Sequence, residues 1–180
     1  MEAIELIKPV KVDLPYPSVC GISPDKRLAS EISDSYAGKK SELNAILQYA
    51  FHAQIFSASG DNETADTLMG IALTEMEHLK ILGELLIALG VSPVYRSYSY
   101  GTTNFYNSCN VSYSVTPQKM LLDDVSGEMD AVRGYENIEK NCKDEQVGAV
   151  ISRIRLDEEL HVAVLKSILE KLKKTPDCFS

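Results

Sequence analysis

Apolar residues recur at helical spacing in four stretches of the chain, and little else in it has a regular period. The predicted helices span about residues 31–59, 62–89, 117–141 and 145–173. Gly60-Asp61-Asn62 forms a turn and N-cap between the first two helices, and Thr116-Pro117 supplies an N-cap and a first-turn proline for the third. The pattern predicts an all-α protein.

The connection between the second and third helices is unusually long. Residues 91–115 are rich in Ser, Asn and Tyr and carry no apolar stripe. Helices of this length measure about 40 Å at 1.5 Å per residue, and an extended link of this size can cross that distance. The order short, long, short connection predicts a ferritin-like four-helix bundle with one crossover. The alternative, two separate helical hairpins, is disfavoured because each hairpin has little core of its own.

The N-terminal region differs from the rest in composition. Prolines recur there at positions 9, 15, 17 and 24, which disfavours helix. We therefore expect residues 1–30 to form an extended arm laid over the body, and residues 31–180 to form the bundle.

Two of the three histidines close an E-x-x-H unit. Glu75 and His78 lie on the second helix, and Glu158 and His161 lie on the fourth. Residues three apart share one face of a helix, so each unit directs a carboxylate and an imidazole to one place. Two such units among three histidines would arise by chance about 2% of the time.

These four residues are in phase with the apolar stripes, and each of the other helices adds one inward carboxylate, Glu42 and Glu128. Four buried carboxylates would repel one another unless cations lay among them. Two divalent metals would balance their charge. The sequence therefore predicts a dimetal site with six ligands: Glu42, Glu75, His78, Glu128, Glu158 and His161.

The motifs resemble those of a known superfamily. Glu42-Leu43-Asn44-Ala45-Ile46-Leu47-Gln48-Tyr49 and the two E-x-x-H units are similar to the metal-binding helices of bacterioferritins. Glu128-Met129-Asp130-Ala131, followed by Tyr135, is similar to the third helix of rubrerythrin-like and manganese-catalase-like proteins. The resemblance implies that Glu75 and Glu158 bridge two metals. It pairs Glu42 with His78, and Glu128 with His161, as terminal ligands.

The sequence differs from these families at several places, and the differences reduce the number of functions that we expect. No Cys-rich rubredoxin motif is present, and Ala131 stands where rubrerythrins place an additional Glu. After the fourth helix the sequence Lys-Lys-Thr-Pro-Asp-Cys-Phe-Ser offers no fifth helix of the kind that cage-forming relatives carry. We therefore expect neither a self-sufficient rubrerythrin nor a storage cage.

Tyr49 and Tyr135 each lie seven residues after a predicted ligand, on the same helix face. We expect their hydroxyls to hydrogen-bond ligand carboxylates, with direct redox participation as the alternative. Catalytic roles are assigned to these tyrosines and to Glu75 and Glu158. His52 has no Glu partner at helical spacing, so it is predicted to be a satisfied or exposed histidine and not a ligand.

Charge and composition exclude several partners. A net charge of -8 argues against nucleic acid, and no apolar run approaches the about 18 residues of a membrane span. The N-terminus lacks the features of a secretory signal, and the four cysteines form no CxxC pair. We expect a soluble, cytoplasmic protein with reduced thiols that forms a homodimer or a higher homo-oligomer.

Four carboxylates and two imidazoles favour iron or manganese. The leading hypothesis is a di-iron oxidoreductase that oxidises Fe(II) with O2 or reduces hydrogen peroxide in a rubrerythrin-like manner, with an external electron donor for the peroxidase reaction. One alternative is a dimanganese centre that disproportionates peroxide, as manganese catalases do. Another is a non-catalytic metal-binding or structural bundle.

Overall fold

A computed structural model of the chain describes residues 6–98 and 104–174. The described elements are α1 (Lys26–Ala37), α2 (Glu42–Ala58), α3 (Asn62–Ala88), β1 (Arg96–Ser97), β2 (Asn104–Phe105), α4 (Pro117–Asn141) and α5 (Glu145–Lys174). The two short strands pair antiparallel. Residues 1–5 of the predicted arm, residues 99–103 of the crossover and residues 175–180, with Cys178, lie outside the described residues. No helix within the described ranges is long and apolar enough to cross a membrane.

Helices α2 to α5 form the predicted ferritin-like four-helix bundle, which confirms the fold class. α2 packs against α3 and α4 against α5, while α2 faces α4 and α3 faces α5. Two apolar clusters fill the bundle at different heights. One contains Ile32, Leu86 and Ile151, and the other contains Phe56 and Leu165. The predicted metal ligands of α3 and α5 lie between these clusters along the chain.

The predicted single helix over about residues 31–59 is wrong. α1 begins at Lys26, where Asp25 accepts hydrogen bonds from two backbone amides of the first turn, and it ends before Gly38. A second helix begins at Glu42, with Ser41 as its N-cap. Both caps are sequence signals, but the apolar stripe continues across the break and hides it. Glu42 is consequently the first residue of α2.

The long connection between α3 and α4 is present as predicted, and side chains from α2 hold it. It contains the strand pair and a short 3₁₀ turn at Ser108–Asn110. The Tyr106 hydroxyl donates to Asn44 Oδ1 at 3.0 Å, and His52 Nε2 lies 3.0 Å from the carbonyl oxygen of Ser112. The crossover is therefore fixed to the outer face of α2.

Residues 6–25, the N-terminal arm, contain no helix or strand and run across α3 and α5. The Val10 amide donates to the Gly70 carbonyl at 3.0 Å. A Cβ atom at Gly70 would lie 2.6 Å from Lys8 O, so only glycine allows the arm to approach α3 this closely. Arg153 of α5 donates to the carbonyls of Val12 and Leu14. The arm is thus bonded to the two helices that carry the E-x-x-H units.

Candidate metal centre

The six predicted ligands lie together at the centre of the bundle. Each side chain is at most 4% exposed. α2 provides Glu42, α3 provides Glu75 and His78, α4 provides Glu128, and α5 provides Glu158 and His161. The spacing of three within each E-x-x-H unit places its two side chains on the inward face of one helix.

The six side chains form two groups that share two members. One group consists of Glu42, Glu75, His78 and Glu158, and the other of Glu75, Glu128, Glu158 and His161. Within each group, the potential ligand atoms all lie within 4.8 Å of one another. Glu75 and Glu158 belong to both groups. The arrangement has the composition of two adjacent metal positions bridged by two carboxylates.

The distances around the imidazoles repeat from one group to the other. His78 Nδ1 lies 3.0 Å from Glu75 Oε2, 3.0 Å from Glu158 Oε1 and 3.9 Å from Glu42 Oε2. His161 Nδ1 lies 2.8 Å from Glu75, 3.7 Å from Glu158 and 3.8 Å from Glu128. Each imidazole therefore faces both shared carboxylates and one terminal carboxylate, with Glu42 beside His78 and Glu128 beside His161.

Several polar atoms at this centre fit a cation. Glu75 Oε1, Glu158 Oε1 and His161 Nδ1 are buried and have no hydrogen-bond partner. His161 Nδ1 and Glu75 Oε1 are only 2.8 Å apart, yet they lack the alignment of a hydrogen bond. Buried polar atoms are normally satisfied. A metal ion near these atoms would satisfy them, so the residues present fit the metals that their chemistry implies.

The two terminal carboxylates are shifted toward their protonated forms. Burial and the negative charges of Glu75 and Glu158 raise the pKa of Glu42 well above its usual range. Burial and Glu158 do the same to the pKa of Glu128. Buried carboxylates that lie this close cannot all ionise without a compensating positive charge.

The pKa values of the shared carboxylates are lowered, whereas those of the two imidazoles are raised. Burial alone would raise the pKa of Glu75, but a hydrogen bond from Glu42 and the charges of both histidines lower it well below its usual range. Burial alone would lower the pKa values of His78 and His161, but the surrounding carboxylates, Glu75 above all, raise them well above 6.5. These shifts favour two protonated imidazoles beside ionised Glu75 and Glu158, so that the opposite charges balance.

Two tyrosines fix the terminal carboxylates, in a crossed arrangement. The Tyr49 hydroxyl of α2 donates to Glu128 of α4, and the Tyr135 hydroxyl of α4 donates to Glu42 of α2. Burial, together with the adjacent carboxylate, raises the pKa of each tyrosine well above 10. Both hydroxyls therefore stay protonated as donors. The structure shows the hydrogen bonds that the sequence predicted, and redox participation stays a prediction.

Sequence reasoning missed the groups that hold the outer nitrogens of the imidazoles. His78 Nε2 lies 3.1 Å from Asp157 Oδ2, and His161 Nε2 lies 2.7 Å from the carbonyl oxygen of Val10. Although burial works against ionisation, hydrogen bonds from His78 and Tyr16 keep the pKa of Asp157 well below its usual range. Asp157 directly precedes Glu158, so its position was a usable signal. No signal in the sequence indicated that the carbonyl of Val10 in the arm would contact His161.

His52 is not part of the centre. Its Nδ1 lies 2.9 Å from both carboxylate oxygens of Asp124, and both side chains are buried. Burial raises the pKa of Asp124, and the hydrogen bond from His52 opposes that rise. His52 is thus a satisfied histidine, one of the two alternatives that the sequence left open.

A cavity of about 430 Å³ opens between α2 and α4 and reaches the centre at Glu42, Glu128 and Glu158. Gly127, Ala131 and Gly134 line its α4 side. Its outer carboxylates are paired: Asp130 binds Lys40 and Arg133, and Asp123 binds Lys119. The cavity lies on the α2/α4 face, away from the α3/α5 face that the arm crosses. A small molecule can therefore reach the ligands from one side of the bundle.

Comparisons with solved structures show where this fold recurs. The chain is similar to KatB, a manganese catalase from Anabaena, with a TM-score of 0.79 and 21% identity over 94% of this chain and 83% of that one. The bacterioferritin of Rhodobacter capsulatus, with a metal-free dinuclear site and heme iron, matches with a TM-score of 0.71 and 21% identity over 84% and 89% of the chains. Mycobacterium tuberculosis BfrA, a bacterioferritin, matches with a TM-score of 0.70 and 22% identity over the same shares.

At these identities the structural matches establish the fold alone. A comparison with curated protein sequences finds no match. The family model for the ferritin-like domain matches residues 39–175, a range that contains α2 to α5 and all six predicted ligands. The chain therefore belongs to the ferritin-like family.

Proposed function

We propose that this protein is a dimetal oxidoreductase that holds two iron ions between the six residues of the centre and reduces hydrogen peroxide. The observation that carries the proposal is the pair of four-residue groups sharing Glu75 and Glu158. Donor sets that are rich in carboxylates and contain one imidazole per metal suit iron or manganese. Zinc normally prefers softer ligands. Two such ions would supply the redox equivalents for peroxide chemistry.

The protein side chains position the metals and control protons. In this proposal Glu75 and Glu158, which belong to both groups, would hold both metals, and each of the four remaining residues would hold one. Tyr49 and Tyr135 hold Glu128 and Glu42 in place through hydroxyl donors that stay protonated. Reduction of one hydrogen peroxide to two water molecules consumes two electrons and two protons. We propose that the electrons come from an external donor.

The cavity favours peroxide over Fe(II) as the substrate. A route for a divalent cation would be expected to present unpaired carboxylates at its mouth. Here Asp123 and Asp130 are each bonded to lysine or arginine side chains. Asp124 is bonded to His52. A neutral molecule of the size of hydrogen peroxide meets no electrostatic barrier at such a mouth, so we place ferroxidase activity second.

The structural comparison supports a second candidate function. The fold is close to that of a manganese catalase, and manganese accepts the same ligand set as iron. Disproportionation of two hydrogen peroxide molecules into two waters and one O2 needs no external donor. A dimanganese catalase is therefore the second candidate. A non-catalytic metal-binding bundle is the third, and the homo-oligomeric, cytoplasmic state stays a prediction.

The experiment combines metal analysis with two peroxide assays. Protein purified without oxygen is loaded with Fe(II) or with Mn(II), and bound metal per chain is measured. Peroxide consumption is then followed with and without an added reductant, alongside an oxygen electrode. We expect two metals per chain and peroxide loss that depends on the reductant. Oxygen release without reductant would establish the catalase candidate, and two bound metals with no reaction would establish the binding protein.

A pair of double variants tests the ligands. Glu75→Ala with Glu158→Ala removes both shared carboxylates and is expected to abolish binding at both positions. Glu84→Ala with Glu159→Ala is the matched control, because it removes one exposed carboxylate from each of the same two helices. Full metal content in the first double variant would refute the six-ligand site.

A further inference from the structure

The N-terminal arm is bonded directly to one ligand of the centre. The Val10 carbonyl oxygen lies 2.7 Å from His161 Nε2 and also accepts a hydrogen bond from the Thr74 hydroxyl at 3.0 Å. The Val10 amide donates to the Gly70 carbonyl at 3.0 Å. The two peptide groups that flank the Val10 Cα are thus both fixed to α3, and one of them holds a histidine of α5.

The same arm holds the second histidine through Asp157. The Val12 amide donates to Asp157 Oδ1 at 2.7 Å, and the Tyr16 hydroxyl donates to Asp157 Oδ2 at 2.6 Å. Asp157 Oδ2 in turn lies 3.1 Å from His78 Nε2. Without the arm, this carboxylate would lose two of its donors and the position that they define.

A buried arginine fixes the arm at this place. Arg153 is 5% exposed and donates to the Leu14 carbonyl at 3.0 Å and the Val12 carbonyl at 2.7 Å. Its guanidinium lies 4.4 Å from the centre of the Tyr16 ring and 2.8 Å from Asp157 Oδ2. Burying a charge is costly unless it is bonded, and here most of its bonds go to the arm.

These bonds decide which ring nitrogen faces the centre. A peptide carbonyl and an ionised carboxylate only accept hydrogen bonds, so Nε2 of each histidine must carry the proton. Nδ1 is then the nitrogen that remains to bind a metal, and Nδ1 is the atom near the shared carboxylates in both rings. Such outer hydrogen bonds fix the orientation and basicity of metal-binding histidines.

We propose that residues 8–16 are an integral part of the metal centre, acting as a strap that sets its metal affinity by holding both imidazoles in the Nδ1-binding orientation. Val10, Tyr16 and Gly70 are positioning residues in this view and not catalytic ones. The inference rests on the dimetal site of the proposed function. The new element is that residues 8–16, which lie outside the four bundle helices and far in sequence from both E-x-x-H units, control both histidine ligands.

Two variants displace or weaken the strap without altering a ligand. Gly70→Ala places a Cβ 2.6 Å from Lys8 O and 2.9 Å from Val10 Cγ2, so the strap must move, while helix propensity at that position improves. Tyr16→Phe removes one donor from Asp157 and keeps the ring. Gly148→Ala is the matched control, because a Cβ there has no atom within 4 Å. Lys80→Ala is a second control, since it breaks an exposed ion pair of α3 with Glu84, outside the strap.

The measurement uses Co(II), a spectroscopic probe for nitrogen and oxygen donor sites. Titration gives the number of ions bound and their dissociation constants. Proton NMR of the Co(II) protein in water should show two shifted, exchangeable imidazole N–H signals. We expect Gly70→Ala and Tyr16→Phe to raise the dissociation constant by about 10–100-fold and to speed N–H exchange with solvent. Both controls should stay within about twofold of the parent.

The outcomes separate the two proposals. If the parent protein binds fewer than two Co(II) ions per chain, both the dimetal site and the strap are refuted. If the parent binds two, and both variants match the controls in affinity and exchange, the strap alone is refuted. Should Gly70→Ala fail to fold, Tyr16→Phe decides, because it changes one exchangeable contact at a half-buried side chain.

Discussion

At the scale of single residues, Tyr49 and Tyr135 hold the two terminal carboxylates of the centre. Each hydroxyl donates to a buried carboxylate of the opposite helix. We predict that Tyr49→Phe or Tyr135→Phe keeps two metals per chain but lowers the free energy of unfolding by about 1–3 kcal/mol, because a hydrogen bond to a charged group is lost. Urea unfolding of the metal-loaded proteins measures the change. Tyr113→Phe, which removes an exposed hydroxyl contact to Ser108, is the control and should change little.

A loss of peroxide turnover in Tyr49→Phe or Tyr135→Phe, without loss of metal or of stability, would contradict a purely positioning role. It would favour the redox participation that the sequence left open for these residues.

His52 and Asp124 form a second buried polar pair, which serves the crossover and not the metals. Removing one partner leaves the other buried without its main bond, and such losses cost about 3–5 kcal/mol. We therefore predict that His52→Ala unfolds at markedly lower urea concentration while its metal stoichiometry stays at the parent value. Elemental analysis beside the unfolding curve checks both parts. Loss of a metal ion from folded His52→Ala would show that this residue contributes to the centre.

The clustering of the six side chains could be predicted from the sequence because helical spacing places both members of an E-x-x-H unit on one face. Glu42 and Glu128 followed from their phase with the apolar stripes. The outer bonds to the imidazoles were not readable in the same way. Val10 and Tyr16 come from an extended segment with no period of its own, and their partners lie more than 140 residues away along the chain. Helical spacing relates only residues a few positions apart, so it does not predict contacts between residues so far apart in the sequence.

At the scale of elements, the sequence predicted the last three helices and the long crossover, and the structure has them. The predicted first helix was wrong because it joined two helices into one. The apolar pattern before Gly38 continues into that of Ile46 and Tyr49, so the pattern alone does not reveal the break between them. Gly38 and Ser41 mark that break. Its effect is to start α2 at Glu42, so that this ligand occupies the positive end of a helix. The helix end favours an ionised carboxylate there, but burial and the charges of Glu75 and Glu158 outweigh it and raise the pKa of Glu42.

α2 and α4 both line the cavity, and Ala131 is one of the lining residues on α4. Ala131→Leu adds three carbon atoms to this lining and leaves the six candidate ligands unchanged. We predict that kcat/KM for hydrogen peroxide falls by about tenfold, that larger organic hydroperoxides are affected more strongly, and that metal content is unchanged. Stopped-flow kinetics with both substrates measures this. Ala149→Leu, at an exposed position of α5, is the control. Equal effects of both variants would place the access route elsewhere.

At the scale of the whole molecule, a polar layer separates two apolar clusters. The apolar cluster that contains Leu86 and Ile151 and the one that contains Phe56 and Leu165 supply the burial that stabilises the fold. The layer between them contains four carboxylates that contribute little to stability without a counter-charge. Metal binding to the folded state alone would add about 2.7 kcal/mol at a hundredfold excess over the dissociation constant. The loaded and metal-free proteins should therefore differ clearly in thermal midpoint.

The same charge balance predicts a steep pH dependence of metal binding. Without metal, the pKa values of Glu42, Glu128, His78 and His161 are raised, which favours the protonated form of each group. Two divalent ions must displace those protons, and protons compete better as pH falls. Affinity should therefore weaken as pH is lowered and strengthen as it is raised. Isothermal titration calorimetry with Mn(II) in buffers of different ionisation enthalpy measures the protons released. Binding without proton release would mean that the ligand atoms are already deprotonated, contrary to the raised pKa values of these four groups.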